Sequence, residues 1–219
     1  MSRLSAIVVV LLLLPWASTV TAEADSRHDD TRPGPVLVIG DSLSADYGFE
    51  RGRGWVSLLA ERMREHGHDR AVVNAAISGD TTRSGRARLP RALEEQQPSV
   101  VIIQLGGNDG LRGLDLGEAQ ANLAAMIEVS QAAGAQVLLA GVRLPPNYGR
   151  PYIEAFAAMY AELAETHQVA LVPRILAGVG EREDLMQPDG IHPTADAQPV
   201  ILDNLWPALI PLLTHSARE

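Results

Sequence analysis

The chain of 219 residues is 46% hydrophobic but only 4% aromatic, so Leu, Val, Ile and Ala must fill its core. That length suits one domain, large enough to bury a core without covalent staples. The formal net charge of −9 repels polyanions, which argues against nucleic acid as a partner. Cysteine and lysine are both absent. Their absence rules out thiol nucleophiles, thiolate metal sites, disulfides, a phosphate-loop lysine and Schiff-base chemistry.

The N-terminus reads as an export signal. Arg3 precedes the apolar run Ile7 to Leu14, and small residues lead to Ala22. This layout predicts a signal peptide over residues 1–22, cleaved after Ala22 or Ala24. The apolar run is too short to span a bilayer, which takes about 20 residues. A periplasmic or secreted protein without stable membrane insertion is therefore expected. Residues 23–35 are polar and Pro-containing and read as a flexible lead-in. Residues 36–219 form a single domain in this reading.

Within that domain, short apolar runs alternate with longer helical stretches. Strands are predicted at Val36 to Ile39, Ala71 to Val73, Val100 to Leu105, Val137 to Ala140 and Val169 to Val172. Helices are predicted at Trp55 to His66, Ser84 to Gln96, Glu118 to Ala133, Tyr152 to His167 and Thr194 to Leu213. Pro90 is expected to interrupt or start the second helix; Pro199, Pro207 and Pro211 are expected to limit the last. Another helix is expected to begin near Ser42. Strands with unbroken apolar character are buried on both faces, so the pattern predicts a parallel sheet covered by helices on both sides. Such sheets place their sites beyond the carboxyl ends of the strands.

Polar clusters fall at those ends. Gly40-Asp41-Ser42-Leu43-Ser44 follows the first strand, and Asn74 with Ser78-Gly79-Asp80 the second. Gly106-Gly107-Asn108-Asp109-Gly110 follows the third, and Arg143 to Tyr148 the fourth. Asp189-Gly190-Ile191-His192 comes after the fifth. A serine after a glycine is by itself ordinary turn chemistry. It becomes a nucleophile only with a base. His192 is the best base: Asp189, three residues earlier, can hold one imidazole nitrogen and leave the other for serine. The amide of Asn108 and a backbone N–H at Gly79 can donate to a developing oxyanion, with the N–H of Ser42 as a third donor.

In this order the clusters resemble the sequence blocks of the GDSL, or SGNH, hydrolases. A closer likeness is carried by Ile77 to Thr81, Leu105 to Gly113, Arg143 to Gly149 and Asp196 to Pro199. It points to the bacterial periplasmic thioesterases also described as lysophospholipases and arylesterases. The resemblance implies a flavodoxin-like three-layer α/β/α sandwich around a five-stranded parallel sheet. It implies Ser42 as nucleophile, His192 as general base, Asp189 as its orienter, and Ser42, Gly79 and Asn108 as the oxyanion hole. It implies no metal and no organic cofactor. Asp46 and residues 48–53 depart from the sequence expected after the first block, so substrate preference is expected to differ there.

The expected substrate is a small acyl ester, a thioester or a lysophospholipid, and a monomer is expected. An acyl chain needs an apolar groove. The loop from Gly110 through Leu111 to Leu114 is expected to line and close it, hinged at its glycines. Leu144 and Tyr148 are expected to form the opposite wall. Two rival readings are a carbohydrate acetyl esterase on the same scaffold and a non-catalytic exported binding protein.

Overall fold

The computed structural model describes residues 33–214. The signal peptide and its cleavage site lie outside the described residues, as does most of the lead-in. Five parallel strands form one sheet in the order β2-β1-β3-β4-β5: β1 Val36–Gly40, β2 Val72–Asn74, β3 Val100–Gln104, β4 Gln136–Ala140 and β5 Ala170–Val172. Every residue of β1 and β3 is buried. Their unbroken Val, Leu and Ile runs thus match a sheet with both faces covered.

The helices are α1 Trp55–Glu65, α2 Thr82–Gln96, α3 Gly107–Leu111, α4 Leu116–Ala132, α5 Arg150–His167 and α6 Gln198–Thr214. Helix α1 packs on α6, while α4 packs between α2 and α5. The result is the three-layer α/β/α sandwich the sequence pattern predicts. Its strand order reverses direction between β1 and β3, and clefts in such sheets open at that point.

Four local expectations need correction. First, Pro90 lies inside α2, and Pro207 and Pro211 lie inside α6. All three are exposed, so a carbonyl left without its helical donor can bond water. Pro199 is the second residue of α6, where a missing N–H costs little. Second, no helix begins at Ser42. Residues 42–48 form successive turns, with Ser44 N–H donating to Asp41 O and Ala45 N–H to Ser42 O. Asp46, at φ +55°, turns the chain out of helical geometry. Third, Gly107 to Leu111 is a short helix rather than a loop. Fourth, the packed domain begins before residue 36. Ser99 donates its N–H to Pro35 O and its hydroxyl to Gly34 O.

Gly40 ends β1 and allows the first turn to fold back closely. A Cβ there would sit 2.8 Å from Ser44 Oγ and 3.0 Å from Gln104 Oε1, both buried. Gly40→Ala should therefore destabilise the protein by about 1–3 kcal/mol through overpacking. Denaturant unfolding measures this, and a neutral effect would show that the turn relaxes without cost.

Candidate active site

Polar side chains from three other elements anchor the turn after β1. Ser44 Oγ donates to Gln104 Oε1 at 2.7 Å, and the Asp41 N–H points at the same oxygen at 3.4 Å. Trp55 Nε1, on α1, donates to Leu43 O at 3.1 Å. Asn74 Nδ2, on β2, donates to Ser44 O at 2.8 Å. Asp41 Oδ1 accepts the Leu43 N–H at 3.0 Å. Ser42 is thus presented half-buried on a turn that its neighbours hold rigid.

The second half of the site is a loop closed on itself. Asp189 Oδ1 accepts the N–H of Ile191 at 2.9 Å and that of His192 at 3.0 Å. Its Oδ2 lies 2.6 Å from His192 Nδ1. One carboxylate therefore shapes the backbone and orients the ring. Gln187 ties this loop to the first: its N–H donates to His192 O, and its Nε2 donates to Pro193 O and Tyr47 O. Tyr47 packs on the imidazole with ring centroids 4.2 Å apart.

The two halves meet at one bond. His192 Nε2 lies 2.9 Å from Ser42 Oγ, joining residues 150 apart in sequence. A carboxylate at Nδ1 keeps the proton there and leaves Nε2 to accept from the serine hydroxyl. Partial burial opposes the charge on Asp189, but the bonds from His192 and Ile191 outweigh it and hold the carboxyl down at about 2. Asp189 therefore stays anionic throughout any ordinary assay range.

Asp41 has the opposite environment. It is only 2% exposed, and burial pushes its carboxyl up to about 6 against the lowering effects of the Leu43 N–H, Gln104 and His192. Asn108 stands beside it on α3. Its Nδ2 donates to Asp80 O at 2.9 Å and reaches Asp41 Oδ2 only at 3.5 Å. Neither Ser42 N–H nor Gly79 N–H has an acceptor among the described residues. Gly79 holds φ +86°, a conformation L side chains rarely adopt.

Beside Ser42 and His192 a cleft of about 520 Å³ opens. Leu43, Leu111, Val142, Leu144, Leu176 and Met186 give it an apolar wall. Of the residues expected to contact substrate, Leu111 and Leu144 line it; Gly110 and Tyr148 do not. Gly110 is buried in α3, where a Cβ would meet Leu144 and Phe156 at 2.7 and 2.8 Å. Tyr148 instead donates its hydroxyl to Leu111 O at 2.7 Å, and Tyr152 donates to Gly110 O at 3.3 Å. These bonds fasten the segment expected to hinge. The departure at Asp46 also has a structural role: its Oδ2 accepts the Gly52 N–H, closing the loop that carries Tyr47.

Sequence alone assigns no role to Gln104, Trp55, Tyr47 or Gln187, which the structure places around the site. A glutamine closing an apolar strand is a usable sign of a buried polar anchor. Tyr47 and Gln187 carry no comparable sign, since their partners come from remote parts of the chain.

A hydroxyl, an imidazole and a carboxylate in series, with free N–H donors beside them, can transfer an acyl group through serine. The chain belongs to the GDSL-like Lipase/Acylhydrolase family, whose pattern it matches over residues 38–198. It is 53% identical over 178 residues to Esterase TesA of Pseudomonas aeruginosa, covering 81% of this chain and 89% of that one. It is 44% identical over 182 residues to Thioesterase 1/protease 1/lysophospholipase L1 of Escherichia coli K12, covering 83% and 86%. A crystal structure of TesA superposes with a TM-score of 0.80 at 53% identity, covering 81% of this chain and 99% of that one.

The buried Asp41 makes stability depend on pH. Its ordinary value is 3.8, so between about 4 and 6 the folded protein holds a proton that the unfolded chain has lost. Stability from this group falls as pH rises through that window. Asp41→Asn removes the dependence. The stability of the variant relative to the parent should rise by about 3 kcal/mol between pH 4 and pH 7. Urea unfolding at the two pH values measures this, and a constant difference would contradict it.

Proposed function

We propose that the protein is an exported serine hydrolase that cleaves acyl esters and thioesters through an acyl-enzyme on Ser42. The hydrogen-bonded line from Asp189 through His192 to Ser42, at the mouth of an apolar cleft, carries this reading. Membership of an acylhydrolase family supports the reaction class. Relatives named as an esterase and as a thioesterase and lysophospholipase support the substrate range. Aryl esters, acyl thioesters and lysophospholipids are the proposed substrates.

In the first step Ser42 Oγ attacks the acyl carbon while His192 Nε2 takes its proton. Asp189 stabilises the resulting imidazolium. Negative charge on the carbonyl oxygen is met by the N–H groups of Ser42 and Gly79. The Asn108 N–H now held only by the long contact to Asp41 turns toward the same oxygen. His192 then protonates the leaving alkoxide or thiolate. Water, deprotonated by the same nitrogen, attacks the acyl-enzyme and frees Ser42. The acyl chain lies along the apolar wall formed by Leu111 and Leu144.

That apolar wall disfavours an acetyl-sugar esterase, which needs an open polar groove. The intact triad disfavours a non-catalytic binding protein. Residues 1–22 act as the leader in this reading. No helix among the described residues is long and apolar enough to cross a membrane. The processed protein then works as a monomer in the periplasm or outside the cell.

Ser42→Ala should lower kcat on an aryl ester by at least about a thousandfold. Asn108→Ala should lower kcat by about a hundredfold to a thousandfold with little change in KM. Steady-state kinetics on folded variants measure both, and near-parental turnover by Ser42→Ala would exclude the mechanism.

A further inference from the structure

The cleft has a second polar feature, remote from the triad. It crosses the carboxyl edge of the sheet from β1, past β3, to the loops after β4 and β5. Ser42 and His192 line it, as do Arg143, which follows β4, and Arg174, Ala177, Gly180 and Glu181, which follow β5. β5 lies three strands from β1, roughly 14 Å at ordinary strand spacing.

Acidic residues outnumber basic ones 27 to 18 in this chain, and several arginines pair with them. Arg53, Arg62, Arg88 and Arg182 all pair with aspartates. The guanidinium groups of Arg143 and Arg174 make no ion pair or hydrogen bond within the described residues. Glu181 shares their end of the cleft yet pairs with neither. Ala177 and Gly180 contribute no bulk, so this end is left roomy. Two exposed arginines without an ion-pair partner thus line a space that continues from an apolar groove. A guanidinium presents forked N–H donors that match the oxygens of a carboxylate or phosphate.

We propose that Arg143 and Arg174 form an anion subsite at the far end of the acyl cleft, selecting acyl groups that carry a terminal carboxylate or phosphate. This rests on the reading above that the acyl chain occupies the cleft. Substrates of this class join an apolar chain to an anionic end, and both parts find complementary walls.

The test compares p-nitrophenyl hydrogen sebacate with p-nitrophenyl decanoate, which differ only in the terminal carboxylate. Rates on p-nitrophenyl acetate, too short to reach the arginines, serve as reference within each variant. The ratio of kcat/KM for the charged over the neutral ester should fall roughly fivefold in Arg143→Gln/Arg174→Gln. High salt should shrink the same ratio in the parent protein. An unchanged ratio in the double variant overturns the subsite. A second pair, lysophosphatidylcholine against the monoacylglycerol of equal chain, places the anion on the leaving group instead. Loss of selectivity in that pair alone would overturn the acyl-end assignment. Loss of acetate hydrolysis in Ser42→Ala reports on the serine mechanism separately, so the two ideas fail by different results.

Discussion

The site depends on one contact, the 2.9 Å approach of His192 Nε2 to Ser42 Oγ. Without it the serine is an ordinary hydroxyl on a turn and the histidine an ordinary ring beside an aspartate. Two separately built loops must meet for it to form. The first is held by side chains of β2, β3 and α1. The second is held by Asp189, whose Oδ1 fixes the loop while Oδ2 fixes the ring. Gln187 binds one loop to the other through Tyr47 O. Little of the geometry is therefore left to chance side-chain rotation, which is what acyl transfer through a serine requires.

Two carboxylates flank this contact and are driven apart by their surroundings. Asp189 collects hydrogen bonds and is held near 2. Asp41 lies in the packed turn and is raised to about 6. Only the first suits the role of orienting a histidine and supporting its positive charge. Asp41 has a different position, between the Leu43 N–H and the amide of Asn108. Its cost in burial is the counterpart of the tightly folded turn that carries Ser42.

Much of this was legible in the residues. Strands such as Val36 to Gly40 declare themselves because burial on both faces leaves no room for alternation. The motif residues fall at strand ends because a parallel sheet exposes its chemistry there. What stayed hidden has physical causes. The sequence marks Pro207 and Pro211 as helix breakers, but α6 tolerates them on its exposed side. Gly110 looks like a hinge, yet its missing side chain makes room for Leu144 and Phe156. Tyr148 looks like a wall, yet its hydroxyl reaches Leu111 O, a contact fixed by how α3 and the β4 loop pack. Local rules describe a residue's preference, and tertiary packing decides its use.

The proposed acyl-enzyme requires that Ser42, which His192 contacts, becomes covalently modified. Mass spectrometry of the protein after reaction with a fluorophosphonate, followed by peptide mapping, tests this most directly. The account predicts one adduct per chain, on the peptide containing Ser42, and slow labelling when His192 is replaced by alanine. An unlabelled protein, or an adduct on another residue with Ser42 untouched, would contradict it.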